Sequence, residues 1–455
     1  MSEQKKLSRR KFVYAGAAVV AAAAVGGAYY LSQPPTPPTP TATTTTSQPI
    51  TTGPPSRPML GLEDSSLSGN EYFVDYYLGV VAAANELGLD LRVVSDDFDS
   101  GKFVHDLQDL TNLGCKMMNV MALDEYSIIT ARDICINAQA YFGDQWMLPQ
   151  DNHEDLMKNV PWDPRFGGYF VRNQEPNTYV DYWDLSHIAF NYIGRKGKVA
   201  HIEGAPGMDC NEFRNMALYD TLKEYPDIQV IEGEAAVYWD LPSGRKSMEA
   251  ILTTHPDVKA VLTQSNSIAI GARMALEAKG LTNVPIFAGD DSSQALEMMK
   301  DDKIILQMGF FTPFQGGSMT VALYDALNGH KFTPDEQLVF NPTVILTKLD
   351  VDELYPDHIH KVMDWQEYYS EIFGDAFKAR GNKWPWDFRK MSYTVAEQEG
   401  FEVDPRAGWK VKYGRPMASI TCGLEQYLKA RIHVVDTGTW EGYEGERPLE
   451  KPYEL

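Results

Sequence analysis

The 455-residue sequence predicts an α/β protein built as two similar lobes, and three observations carry that reading. Short apolar runs alternate with amphipathic stretches from Pro58 onward. The intervals are short, as strand–helix–strand units in a parallel sheet covered on both faces require. The alternation then restarts after a polar, Pro-rich segment at 149–166.

In the first half, strands are expected at 59–62, 91–94 and 116–121. Helices are expected at about 72–87, 102–113 and 126–138, with Gly88 and Gly114 ending the first two, since glycine takes the left-handed turn that closes a helix. In the second half, strands at 199–202, 229–231, 260–262 and 285–288 each precede a helix, at 210–225, 243–254, 268–279 and 293–300. Open parallel sheets bind ligands beyond the carboxyl ends of their strands. Two such lobes facing each other place a ligand in the cleft between them.

The length suits two or three domains, and 44% hydrophobic residues are enough to fill real cores. The formal net charge of −22 describes a well-hydrated surface. It argues against nucleic acid, whose phosphates need clustered Lys and Arg, and against anionic lipid. The four cysteines, Cys115, Cys135, Cys210 and Cys422, contain no C-x-x-C spacing. Zinc and thioredoxin-like chemistry are therefore not expected. Buried free thiols are the reading, with one or two disulfides as the alternative in an oxidising compartment.

Residues 1–32 read as an export segment. Lys5 and Lys6 precede Ser8-Arg9-Arg10-Lys11-Phe12-Val13, and an apolar run follows to Leu31. The paired arginines point to the twin-arginine route. The run is long enough to remain as a membrane anchor, and small residues near Ala21–Ala24 offer a cleavage site instead. Residues 33–57, almost all Pro, Thr, Ser and Gly, are expected to form an extended linker.

Several phrases then occur in order: Gly69-Asn70-Glu71-Tyr72-Phe73, Lys196-Gly197-Lys198-Val199 through Glu203-Gly204-Ala205-Pro206-Gly207, Phe213-Arg214, Thr263-Gln264-Ser265-Asn266 through Ile270-Gly271-Ala272, and Ala288-Gly289-Asp290-Asp291. Together they resemble the ribose-binding type of ABC transporter sugar-binding proteins, the type 1 periplasmic binding proteins related to LacI-type repressor cores. The resemblance covers residues 59–350. It implies two Rossmann-like lobes joined by a three-segment hinge, with crossovers near 169–173, 307–312 and 340–343. The lobes would be 58–171 with 312–340, and 172–311 with 341–354, leaving 355–455 as a C-terminal extension of unknown role.

The resemblance also implies a binding site. Ser66 and Asn70 match polar contacts after the first strand, and Tyr72 and Phe73 match an aromatic pair. Arg214 matches an arginine that bonds ligand oxygens. Trp239, with Asp240 beside it, matches an aromatic wall. Asp291 matches a carboxylate that accepts two sugar hydroxyls, and Asp144 or Gln145 matches a further polar pair. Three positions depart from the pattern: Ser265 stands at the usual Asn, Asn266 at the usual Asp, and Phe311 at the usual hinge Gln, which removes one polar contact. An insertion at 146–164 lengthens the region before the first crossover.

These residue types suit hydroxyl recognition. A carboxylate accepts two hydroxyl protons, a guanidinium donates through its planar fork, and aromatic rings cover the C–H faces of a sugar. Competing chemistries are less well supported. Asp97, Asp99 and Gly101 make half a calcium loop without its distal Glu, and read as a solvated loop. His358 and His360 sit in a charged helix start. No nucleophile-elbow, phosphate-loop or zinc-protease motif occurs, and Asp290-Asp291 shows no second carboxylate across a bond. No cofactor or metal is called for, and an enzyme is not expected.

The reading is an exported, extracytoplasmic solute-binding protein. It captures a monosaccharide, polyol or similar small ligand and delivers it to the permease subunits of an ABC importer. A surface receptor for signalling is the alternative, with a secreted carbohydrate-active enzyme behind it. The aromatic-rich segment 355–455 is expected to form a mixed, partly helical cap on a lobe, or else a docking surface for a membrane partner.

Overall fold

The computed structural model describes residues 57–68, 70–146, 168–404, 407–408 and 418–419. The chain enters at β1 (Met59–Asp64), an apolar strand buried along almost its whole length. In α1 (Glu71–Leu87), the Asn70 side chain accepts the Tyr72 N–H at the start, and Gly88 closes the end at φ 69°. There follow β2 (Asp90–Ser95), α2 (Ser100–Asn112), β3 (Met117–Val120), α3 (Glu125–Ala138), β4 (Tyr141–Asp144) and β5 (Phe170–Pro176).

The second lobe is α4 (Thr178–Tyr192), β6 (Gly197–Ile202), α5 (Asp209–Leu222), β7 (Ile228–Glu232), α6 (Leu241–Thr254), β8 (Ala260–Thr263), α7 (Asn266–Ala278), β9 (Ile286–Ala288), α8 (Ser293–Met298) and β10 (Leu306–Gly309). The chain returns to the first lobe through α9 (Thr312–Leu327), α10 (Pro334–Gln337) and β11 (Leu338–Asn341). It crosses again into β12 (Val344–Thr347) and α11 (Val351–Leu354). The extension supplies β13 (Val362–Asp364), α12 (Trp365–Ile372), α13 (Asp375–Ala379), α14 (Tyr393–Glu399) and β14 (Ala418–Ser419). Every strand and helix expected between residues 59 and 300 is present, with ends shifted by a few residues.

The strands form two sheets, ordered β14-β11-β5-β4-β3-β1-β2 and β13-β12-β10-β9-β8-β6-β7. Pairing is parallel except β11 with β14 and β10 with β12. The first crossing comes after Pro176, later than the expected 169–173, because β5 pairs with β4 to Asn173 and with β11 to Pro176. The others follow Gly309 and separate Asn341 from Val344.

Two features hold the crossings. The first is close approach of α9 to α1. A Cβ on Gly79 would lie 1.8 Å from the Pro313 carbonyl oxygen, and one on Gly316 2.2 Å from that of Tyr76, so only glycine allows this packing. The second is a ladder of three buried glutamines. Gln174 Nε2 donates to Gln145 Oε1 at 3.1 Å and to the Gln315 carbonyl at 2.6 Å. Gln315 Nε2 donates to the Phe310 carbonyl at 2.7 Å, and Ser318 Oγ donates to Gln174 Oε1 at 3.1 Å. Buried amides paired in this way fix one arrangement of the strands they join.

The extension packs on both lobes, not on one. β13 lengthens the second sheet while β14 pairs with β11 at the edge of the first. Between them, Trp384 stacks on Trp386, and Trp386 lies edge-on to Phe314 of α9, with ring centroids 6.0 and 5.4 Å apart. Phe388 covers Gly317, where a Cβ would stand 2.0 Å from its ring. The cause is the bare face of α9, whose paired glycines leave room for aromatic rings. Asp325 then caps α14 by accepting from Ser392 Oγ and from the Tyr393 and Thr394 N–H groups, at 2.6, 2.9 and 3.0 Å.

Cys115, Cys135 and Cys210 are free and buried. Cys422, the export segment and nearly all of the linker lie outside the described residues. No described helix is long and apolar enough to cross a membrane.

Candidate ligand-binding cleft

A cleft opens between the lobes, and each residue lining it follows the carboxyl end of a parallel strand. Asn70, Tyr72 and Phe73 follow β1, and Trp146 follows β4. Met208, Cys210 and Arg214 follow β6, Trp239 follows β7, and Asp290 follows β9. The cleft spans about 330 Å³, part of it open to solvent.

Arg214, 2% exposed, is carried on α5. Its guanidinium carbon lies 5.7 Å from the ring centroids of both Trp239 and Phe310, the geometry of a cation over an aromatic face. Asp290 is held by Asn266, whose backbone N–H and Nδ2 both donate to Asp290 Oδ1, the latter at 2.8 Å. Burial raises the Asp290 pKa to about 6, against the opposing pull of the Arg214 charge. Trp239 adopts a left-handed φ of 53°, and its indole lies against Gly204, where a Cβ would come within 2.1 Å of the ring. Arg214 Nε and Trp239 Nε1 are buried without a protein hydrogen-bond partner. Buried donors are rarely left unmet.

On the facing wall, Tyr72 lies between Phe73 and Trp146, with ring centroids 5.5 and 5.6 Å away. Its hydroxyl donates to Gln315 Oε1 at 3.0 Å and accepts from Gln145 Nε2 at 3.3 Å, tying the cleft to the glutamine ladder. Asn70 Nδ2 donates to the Trp239 carbonyl at 3.0 Å, and the Phe98 and Tyr238 rings meet at 6.3 Å. Both contacts join one lobe to the other.

Of the residues expected at the site, Asn70, Tyr72, Phe73, Arg214 and Trp239 come together in the cleft. The others are placed elsewhere. Asp291 Oδ1 accepts the Phe310 N–H at 2.8 Å, and its carboxylate also accepts a hydrogen bond from the Tyr368 hydroxyl. Burial pushes its pKa to about 7. Asp290, its neighbour, lines the cleft instead. Asp144 accepts the Ala122 and Trp146 N–H groups at 3.0 and 2.8 Å, and Gln145 belongs to the ladder. Ser66 donates its hydroxyl to the Ser68 carbonyl. Ser265 caps α7 and Asp240 caps α6, while Asn266 orients Asp290. Phe311 is buried at φ 49° with its ring 4.9 Å from Tyr368, whose hydroxyl accepts the Phe311 N–H at 3.0 Å.

Sequence reasoning missed Trp146, Met208 and Cys210, and passed over Asp290 for its neighbour. The position of Trp146 directly after the polar pair Asp144-Gln145 was the available signal. His360 is a structural ion pair: Nε2 and Nδ1 each lie 2.8 Å from a buried carboxylate, Asp181 and Asp184. Burial opposes its charge, but the two carboxylates outweigh that and push its pKa up to about 10. Asp99 caps α2. Among the described residues, no cluster of three or more His, Cys, Asp or Glu is placed to hold a metal.

Residues 186–331 match the family described as the periplasmic binding protein domain. The chain is 35% identical over 263 residues to the D-ribose/D-allose-binding protein of Pseudomonas aeruginosa, spanning 55% of this chain and 76% of that one. It is 25% identical over 286 residues to the ribose import binding protein of Bacillus subtilis, spanning 63% and 87%. The fold matches that of an ABC transporter periplasmic solute binding protein from Actinobacillus succinogenes solved with bound D-allose, with a TM-score of 0.56, 22% identity, and coverage of 65% of this chain and 100% of that one. These relatives are binding proteins, not enzymes. The match to the Pseudomonas protein, on two lobes that meet over a cleft of this kind, shows that the chain belongs to the sugar-binding solute-binding proteins of the periplasmic binding protein family.

Proposed function

We propose that this protein captures a monosaccharide or polyol outside the cytoplasm and presents it, lobes closed, to the permease of an ABC importer. The observation that carries the reading is a cleft wall lined by both Arg214 and Asp290, which also bears the unmet donors Arg214 Nε and Trp239 Nε1. A charged donor and a charged acceptor on one cleft wall suit vicinal hydroxyls, which donate and accept at once. The opposing rings of Tyr72 and Phe73 suit the C–H face of a sugar. Relatives described as binding ribose, apiose and xylitol favour this ligand class. Contacts to both lobes make the ligand favour the closed form, which is the form a permease would read.

A thermal-shift screen of sugars, polyols, nucleosides and amino acids tests the proposal. A bound ligand raises the melting temperature by mass action. A sugar or polyol is expected to raise it. Stabilisation by amino acids or nucleosides alone would overturn the reading.

A further inference from the structure

The two walls of the cleft differ in kind. On the second lobe, Arg214 Nε and Trp239 Nε1 are buried without partners, and Asp290 lines the same wall. On the first lobe, Asn70 and Tyr72, the polar residues that line the cleft, are already engaged. Asn70 accepts the Tyr72 N–H at 2.9 Å and donates to the Trp239 carbonyl. The Tyr72 hydroxyl donates to one glutamine and accepts from another. Two positions where the sequence suggested polar contacts to the ligand from this side are also committed elsewhere: Asp144 to backbone N–H groups and Gln145 to the ladder. The aromatic faces of Phe73, Tyr72 and Trp146 remain. At the hinge, Phe311 stands where a glutamine was expected. Even the second wall carries two sulfur side chains, Met208 and Cys210.

Resting on the proposed function, we infer that the ligand is an amphipathic sugar: vicinal hydroxyls on one edge face Arg214 and Asp290, and a methyl or other small apolar group on the opposite edge faces Trp146, Tyr72 and Phe73. A hydroxyl on that second edge would lose water and meet rings, and a buried polar group without a partner is costly. A methyl group in the same place gains apolar contact. A site of this kind separates the two by roughly tenfold to a hundredfold.

The test is calorimetric titration of the full-length protein with matched pairs: D-galactose and D-fucose, L-mannose and L-rhamnose, D-ribose and 5-deoxy-D-ribose. In a pair that binds, the deoxy sugar is expected to bind at least tenfold more tightly, and Trp146→Ala to narrow that gap. If the hydroxylated member binds as tightly or more so, the inference is overturned and the sugar-binding reading stands. If no sugar or polyol binds while another solute class does, both fall. Should Trp146→Ala fail to fold, Phe73→Tyr adds a hydroxyl to the wall that faces the methyl group. It is expected to shift the preference toward the hydroxylated member, and an unchanged ratio counts against the inference.

Discussion

Glu71 Oε1 accepts the backbone N–H of Ser293 at 3.0 Å, so a carboxylate that begins α1 in the first lobe caps α8 in the second. The contact exists only when the lobes are together. Removing it costs the closed form about 1 kcal/mol, the usual worth of such a cap. Glu71→Ala is therefore expected to open the ligand-free protein, seen as a larger radius of gyration in X-ray scattering. Ligand affinity should weaken by at most about fivefold, since the binding-competent fraction falls.

The adjacent carboxylates after β9 have separate tasks and separate mutant phenotypes. Asp290→Asn is expected to weaken sugar binding roughly a hundredfold, as loss of a buried charged acceptor does. Its ligand-free stability should hold or rise. Asp291→Asn touches the hinge through Phe310 and Tyr368 and is expected to change affinity less than about tenfold. Calorimetry on the two variants separates them, and equal losses would contradict the placement.

Stability and affinity should respond to pH in opposite senses. Burial raises Asp290 to about 6 and Asp291 and Asp96 to about 7. Glu63, buried beside Asp96, is raised as well. Carboxyls raised in the folded state stabilise it fully below their unfolded pKa of about 4, and the contribution is lost as pH rises through the folded values. Melting temperature is expected to fall between about pH 5 and pH 8. Ligand affinity should rise over the lower part of that range, as Asp290 ionises and becomes a better hydroxyl acceptor. Melting and titration at three pH values check both slopes.

His360 holds the start of the extension to α4. His360→Ala would leave Asp181 and Asp184 buried at 0% exposure without their countercharge. A loss of about 3–5 kcal/mol is expected from breaking such a pair on one side, read from the denaturant midpoint. The pKa of His360, raised to about 10, gives the sign. Its contribution is complete below the unfolded value and disappears as pH climbs through 10.

The elements from 59 to 300 were legible because buried parallel strands need apolar runs and glycines such as Gly88 mark helix ends. Five cleft residues were legible through phrases whose local conformation does the placing, as when Asn70 caps the helix that carries Tyr72 and Phe73. The choice between Asp290 and Asp291 was not legible. Both are acidic residues of one turn, and only the Phe310 N–H, brought by a strand nineteen positions on, decides which faces the cleft. Trp146 was hidden for a similar reason, since its exposure to the cleft depends on Asp144 folding back onto its N–H. Tyr368 carries no motif at all, and its partner at the hinge lies fifty-seven residues earlier.

The extension has a practical consequence for anyone shortening the chain. Trimming it after residue 354, where the family resemblance suggests a natural end, would strip the aromatic cover from Phe314 and Gly317, unpair Asp291 from Tyr368 and leave Asp325 with no helix to cap. What remained would carry a sticky flank and a slack hinge. Its binding behaviour would describe the fragment and not the protein.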